Sequence, residues 1–319
     1  MKAVVYKEYG APEVLKIQEV VKPTPKENEV LIKVKASTVT TGDTRFRKAD
    51  PFAIRFFNGI IKPKKQILGM FFSGDIVAIG TKVTKFKIGD KIFGSTGMSI
   101  FNAWAEFICI KEDATITSMP VKITYEEVAS VIFGASTALH FLKKANLKKG
   151  DNILVYAASG AVGSAVVQIA KYYGANVTGV CSSKNFKFVK SLGADKVIDY
   201  TTEDFTKNDV KYEIIYDSIG KISYKKCKNS LTHSGLFVSN NAGLGDYLNL
   251  IWTSFLGKRK IVTGVSSDNL EKLTQIKKLL ETKKITVPID KTYPLDQIIQ
   301  ANYHVDSGHK KGNIAISFH

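Results

Sequence analysis

Apolar positions along this chain follow two rhythms, and the change between them falls near residue 120. Before it, short apolar runs alternate with turn residues. Val30-Leu31-Ile32-Lys33-Val34-Lys35-Ala36 reads as a strand, and residues 72–80 read as another. Gly42-Asp43, Asn58-Gly59, Gly89-Asp90 and Gly94 read as turns. Many short strands with glycine turns predict a barrel or sandwich. Residues 45–65 are less regular, basic and aromatic, and are expected to form a lobe over a cleft, with Phe52, Phe56, Phe57, Phe71 and Phe72 either in the core or forming an apolar wall for a flat substrate. After residue 120, strands alternate with helices. The pattern predicts strands at 152–157, 176–181, near 197, at 212–216, 235–239 and 260–265. Helices are predicted at 162–173, 184–192 and 222–231. Such alternation means a parallel sheet covered on both faces, so the fold class is α/β. Helices at 269–281 and 295–306 and a strand at 313–318 close the chain.

One junction in the second half carries chemistry. The strand Ile153-Leu154-Val155-Tyr156 runs into Ala157-Ala158-Ser159-Gly160-Ala161-Val162-Gly163 and then into a helix. A tight turn leading into a helix N-terminus presents free N–H groups to a pyrophosphate. Gly160 would let the backbone approach the phosphates, and Gly163 would let the helix pack closely on the sheet. Ala157 and Ala158 stand where the first glycine of such turns is usual. Ser159 to Gly163 are therefore the expected phosphate cradle, and a dinucleotide is the expected cofactor.

NAD binders typically carry an acidic residue about 20 positions after the glycine turn, where it accepts hydrogen bonds from the ribose. No Asp or Glu occurs between Asp151 and Asp195. The second strand ends instead in Cys181-Ser182-Ser183-Lys184, and two hydroxyls and an ammonium suit a 2′-phosphate. Tyr200, after the third strand, is expected to add a phenol hydroxyl. The expected cofactor is NADP(H).

Composition changes this picture little. The chain has 319 residues, enough for two domains, and is 44% apolar. It lacks an apolar stretch long enough to span a membrane, and its start, Met1-Lys2-Ala3-Val4-Val5, has no leader-like core. Three cysteines, none paired in sequence, suit a reducing, cytoplasmic setting. The net charge is +17, yet only four of 46 basic residues are arginine and no lysine run exceeds two. That argues against nucleic-acid recognition, in which arginine dominates, and for a solvated basic surface.

With these motifs in hand, the chain resembles the medium-chain dehydrogenase/reductase superfamily, and most of all its zinc-independent quinone oxidoreductase and enone reductase branch. The resemblance rests on Pro12-Glu13-Val14-Leu15, Gly74-Asp75-Ile76-Val77-Ala78-Ile79-Gly80, Phe86-Lys87-Ile88-Gly89-Asp90, Ser136-Thr137-Ala138-Leu139 and Ser191-Leu192-Gly193-Ala194-Asp195. It implies a GroES-like β-barrel domain built from 1–119 and 267–319, flanking a Rossmann NADP-binding domain at 120–266. Zinc enzymes of the superfamily use a Cys in a first loop and Gly-His-Glu further on. Here those places read Thr38-Val39-Thr40-Thr41-Gly42-Asp43 and Gly69-Met70-Phe71, and His140, His233, His304, His309 and His319 are scattered, so no metal is expected.

Related sequences carry Asn-x-x-Asp-x-Lys in the first loop. The matching positions here are Thr40, Asp43 and Arg45, the expected catalytic residues, with Thr40 departing from Asn and Arg45 offering a planar fork. Asp43 either orients Arg45 or caps a turn. The resemblance implies that Thr137, Ser218 and Asn240 line the nicotinamide end. Hydride addition to an α,β-unsaturated carbonyl leaves a delocalised enolate, which hydrogen-bond donors can stabilise without a metal. The expected activity is therefore reduction of an enone, enal or quinone by NADPH. A zinc-free alcohol or aldehyde oxidoreductase and a non-catalytic NADPH sensor are the alternatives. A homodimer pairing through the strand at 260–265 is also expected.

Overall fold

The structure is a computed structural model that describes residues 1–241, 249–250 and 260–318. The chain divides into two compact units, Met1–Phe133 with Asp268–Glu281 and Val287–His319, and Gly134–Ser267 with Thr282–Thr286.

In the first unit, seven strands form a mostly antiparallel sheet. Its central strand, Glu29–Thr38, pairs with Phe71–Ile79, with Phe107–Lys111 and with Asn313–Ser317. Three partners for one ten-residue strand require it to bend. Register shifts at Leu31/Ile32 and Val34/Ala36 supply the bend, since a bulge adds local twist. Ile289–Pro294 joins parallel to Asn313–Ser317, so the C-terminal segment completes this sheet. Phe71, Phe72, Phe93 and Trp104 fill the core.

The second unit holds six parallel strands in the order 196–199, 176–181, 152–156, 212–217, 231–239, 261–263. The strand order reverses between Asn152–Tyr156 and Tyr212–Asp217. In doubly wound sheets that reversal opens a crevice at the strands' carboxyl ends. Apolar residues on both faces bury the sheet; Ile153, Leu154 and Val155 are fully buried in succession, as a two-sided parallel sheet demands.

Local departures from the sequence pattern have local causes. Gly42-Asp43 is not a turn but the first turn of helix Thr41–Lys48, because Thr40 and Asp43 form a capping box. Gly94 lies inside strand Lys91–Ser95, where a Cβ would come within 2.3 Å of the Thr115 carbonyl oxygen, so close strand approach and not turning demands the glycine. The helix expected at 222–231 is one turn, Tyr224–Cys227, followed by a 3-10 turn, Lys228–Ser230. Asn229 and Ser230 favour such turns over helix interiors, and the next strand starts at Leu231.

Candidate functional site

The glycine turn follows directly from strand Asn152–Tyr156. Ala157 takes a left-handed conformation (φ 58°), normally a glycine's role, so the strain of a first glycine's position is carried by the smallest side chain that has a Cβ. Gly160 is the N-cap of helix Ala161–Tyr172, and no side chain caps that helix. Its first-turn N–H groups therefore face outward without a side-chain acceptor, the arrangement that binds phosphate. A Cβ on Gly163 would lie 2.2 Å from the Ala157 carbonyl oxygen, which makes this glycine the packing residue. At Gly160 the nearest atom to such a Cβ is 3.6 Å away, so the space beside it is open.

Neighbouring strand ends bring further expected residues to this turn. Ser218 follows strand Tyr212–Asp217, and its hydroxyl donates to the Tyr156 carbonyl at 2.8 Å. Asn240 follows strand Leu231–Ser239 and donates from Nδ2 to the Ser218 carbonyl at 3.4 Å. Its Oδ1 is buried with no partner. Asp217 is wholly buried, and burial raises its carboxyl despite hydrogen bonds accepted from Ile219, Gly220 and Ile222. It holds the turn that carries Ser218. Thr137 is buried on helix Tyr125–Lys144, one turn beyond Gly134. A Cβ on Gly134 would meet the Ala161 carbonyl oxygen at 2.5 Å, so Thr137 rides on a helix pressed against the phosphate turn.

At the end of the second strand, Ser183 and Lys184 are exposed and Ser182 is half-buried. Two residues absent from the motif organise them. Asn185 is buried and donates from Nδ2 to Ser159 Oγ at 3.2 Å and Ser182 Oγ at 3.4 Å, tying the phosphate turn to the serine turn. Both hydroxyl protons are thereby left to point elsewhere. Its own Oδ1 is buried without a partner. Asp199 accepts from the Ser183 N–H at 2.9 Å and from the Thr201 N–H and hydroxyl at 2.9 and 2.7 Å. The Thr201 and Ser183 bonds hold its carboxyl below the usual carboxylate range. Asp199 stands opposite Cys181 in the parallel register, a neighbour that linear spacing does not reveal. Tyr200 is half-exposed, its ring tilted against Tyr156 with centroids 6.4 Å apart. Ser159, Gly160, Ser182, Ser218 and Asn240 thus share one end of the sheet. The buried, unpartnered oxygens of Asn185 and Asn240 fit a site that expects a polar ligand.

A groove of about 760 Å³ opens at the opposite, amino ends of the same strands, lined by Asn152, Asn176, Asp195, Lys196 and Tyr212 among others. Strand direction separates it from the glycine turn.

In the first unit, Asp43 is wholly buried beneath the helix it caps. It accepts from the Thr40 N–H at 2.8 Å, the Thr40 hydroxyl at 2.6 Å and the Gly69 N–H at 3.2 Å. Burial outweighs these bonds and pushes its carboxyl up to about 6. Asp43 therefore clamps the two loops together. Trp104 lies beneath both, donating from Nε1 to the Thr38 carbonyl at 3.1 Å and packing so near Gly69 that any Cβ there would overlap the indole. Arg45 is exposed. Arg47, two residues on, is fully buried: it donates to Asn302 Oδ1 at 3.2 Å, to the Gly10 carbonyl at 2.5 Å and to Asp306 at 2.5 Å. It ties helix Thr41–Lys48 to helix Ile298–Asp306.

The donor set does not fit zinc. The loop positions hold Thr40, Gly69 and Met70. Among the described residues no three His, Cys, Asp or Glu side chains group to hold a metal, and His319 lies outside them.

Two family models match the chain: an alcohol dehydrogenase GroES-like domain over residues 26–120 and a zinc-binding dehydrogenase over residues 192–316. A chloroplast envelope quinone oxidoreductase homolog from Arabidopsis thaliana is 31% identical, over 99% of this chain and 98% of its own. An NADPH-dependent alkenal/one oxidoreductase from the same plant is 29% identical, over 99% of this chain and 79% of its own. Among solved structures, the quinone oxidoreductase of Coxiella burnetii superposes with a TM-score of 0.89 at 29% identity, covering 99% of each chain.

Proposed function

The chain belongs to the quinone oxidoreductase branch of the medium-chain dehydrogenase/reductase superfamily, and from that premise we propose that it reduces α,β-unsaturated carbonyls or quinones with NADPH and without a metal. As a member it is an oxidoreductase with a GroES-like domain, a Rossmann domain and a nicotinamide cofactor. The observation that carries the finer reading is the serine–lysine turn. Ser182, Ser183 and Lys184 stand beside an uncapped helix entered through Gly160, where an NAD site would carry a carboxylate free to accept from a ribose. Asp199, the acidic residue nearby, has its carboxylate engaged by Ser183 and Thr201.

Bound NADPH supplies a hydride. The chain's own residues supply the rest. The first-turn N–H groups after Gly160, with Ser159, hold the pyrophosphate, and Ser182, Ser183, Lys184 and Tyr200 hold the 2′-phosphate. Ser218, Asn240 and Thr137 orient the nicotinamide end. In the first unit, Thr40 and Asp43 act as positioning residues, because the Thr40 hydroxyl donates to Asp43 and accepts from its N–H. Arg45 supplies positive charge to the oxygen on which an enolate or hydroquinone anion develops. Charge shared between the oxygen and the α-carbon of an enolate needs less from the protein than the localised charge of an alkoxide does, which is why a metal-poor donor set suits this substrate class. In this reading a second copy pairs along strand Ile261–Thr263, the last of its sheet. Sedimentation as a monomer removes that part alone.

The test is loss of dihydronicotinamide absorbance with a 2-alkenal, an enone, a quinone and a saturated ketone, with EDTA present. Turnover of the first three and not the ketone is expected. Turnover of the ketone alone favours the alcohol or aldehyde oxidoreductase. Binding without turnover of any compound leaves a cofactor-binding protein that senses NADPH.

A further inference from the structure

Between the capped helix and Gly69 the chain makes an excursion to which the proposed function assigns no role. Residues 51–65 contain helix Ile54–Asn58, and all their large apolar side chains except the half-buried Ile54 are exposed. Phe52 is 62% exposed, Phe56 70%, Phe57 83%, Ile60 61% and Ile61 88%. Five such side chains within ten residues are a patch and not the scattered apolar exposure every surface shows.

The segment is held in this attitude from below. Asn58 is buried; its Nδ2 donates to the Tyr6 hydroxyl at 2.8 Å and its Oδ1 accepts from the Lys65 N–H at 3.0 Å. The Tyr9 hydroxyl donates to the Gly59 carbonyl at 2.7 Å, and the Arg55 guanidinium lies over the Tyr9 ring while donating to the Ile60 carbonyl at 2.8 Å. The base is fastened by polar contacts, so the apolar tips stay outward.

Charge decides what would cover them. Residues 51–65 contain Arg55, Lys62, Lys64 and Lys65 and no acidic residue, on a chain of net charge +17. A second copy would bring the same cations face to face. A nucleic acid would suit the cations and stack on the phenylalanines, but it offers nothing to Ile60 and Ile61. Exposed apolar side chains on a segment with four cations and no carboxylate match the boundary between acyl chains and anionic headgroups.

We propose that residues 51–65 dock the protein on an anionic lipid surface, Phe56, Phe57, Ile60 and Ile61 entering the acyl boundary and Lys62, Lys64 and Lys65 meeting the headgroups. No helix among the described residues is long and apolar enough to cross a membrane, so the contact is peripheral.

Flotation of the full chain with phosphatidylcholine vesicles, with and without phosphatidylserine, tests this. Binding to the anionic vesicles is expected, weakening as salt rises. F56S/F57S, at two exposed positions, should cut binding about tenfold or more. K62Q/K64Q should cut binding to anionic vesicles on the order of twentyfold. Circular dichroism and melting check that both variants fold. Three results overturn the proposal: no flotation of the wild type, flotation that both variants retain, or a dimer in sedimentation that F56S/F57S dissolves while vesicles bind neither protein.

Discussion

At Gly163 an added Cβ would sit 2.2 Å from the Ala157 carbonyl oxygen, whereas at Gly160 the nearest atom would be 3.6 Å away. The two glycines of one motif thus answer to different demands, one to the fold and one to open space. Gly160→Ala is expected to leave the melting temperature nearly unchanged and to weaken NADPH binding about tenfold or more, by filling the approach to the phosphates. Titration of the variant checks it; unaltered affinity would mean that the phosphates lie elsewhere. Asp43 makes a second residue-scale prediction. Burial raises its folded value to about 6 from 3.8, so between those values the folded state keeps a proton that the unfolded chain has lost. Its contribution to stability therefore falls as pH rises through that window, by roughly 3 kcal/mol in all, and is flat above it. Urea denaturation of Asp43→Asn and wild type should show the variant gaining on wild type from pH 4 to pH 6. A constant gap would refute the raised value. Gly160, Gly163 and the serine–lysine turn were legible because contiguous residues spell them. Asn185 and Asp199 were not, because each matters through a neighbour that only the sheet supplies: Ser159 for one, Ser183 for the other.

Among elements, helix Thr41–Lys48 shows how a cap can be mistaken for a turn. Gly42-Asp43 has turn composition, but Thr40 and Asp43 satisfy each other's N–H groups and start a helix instead. Both readings share the same residue preferences, and only the five helical residues that follow, up to Lys48, separate them. The same helix hides Arg47 on its inner face. Arginine is expected at the surface, so nothing in the sequence marks it as the tie to helix Ile298–Asp306, more than 250 positions away. Arg47→Ala should cost about 2–4 kcal/mol, since it leaves the buried Asn302 Oδ1 and the Gly10 carbonyl without their donor, whereas Asp306 keeps Lys48 at 2.8 Å. Thermal melting measures this, and a loss within the range of ordinary surface substitutions would show that water replaces the guanidinium. The strands and helices of the parallel sheet were the most legible elements, because fully buried strands write long apolar runs. The short helix Tyr224–Cys227 was overestimated because apolar period alone does not say where a crossover ends.

Over the whole molecule, two rhythms of apolar spacing correspond to the two larger sheets, one mostly antiparallel and one wholly parallel. The C-terminal strand Asn313–Ser317 returns to pair with Glu29–Thr38 in the first unit, a contact across most of the chain that family likeness anticipates and local pattern does not. The charge of +17 gives anionic ligands a favourable field without selecting among them. We propose that selection falls to the few groups at the sheet's carboxyl end and that they select NADPH. Calorimetric titration of the purified chain with NADPH and with NADH, repeated on Lys184→Ala, tests that claim most directly. The account predicts tight binding of NADPH, weaker binding of NADH, and a variant that loses about tenfold for NADPH while NADH is unaffected. Equal affinity for the two cofactors would contradict the serine–lysine reading, and binding of neither would contradict the account at its root.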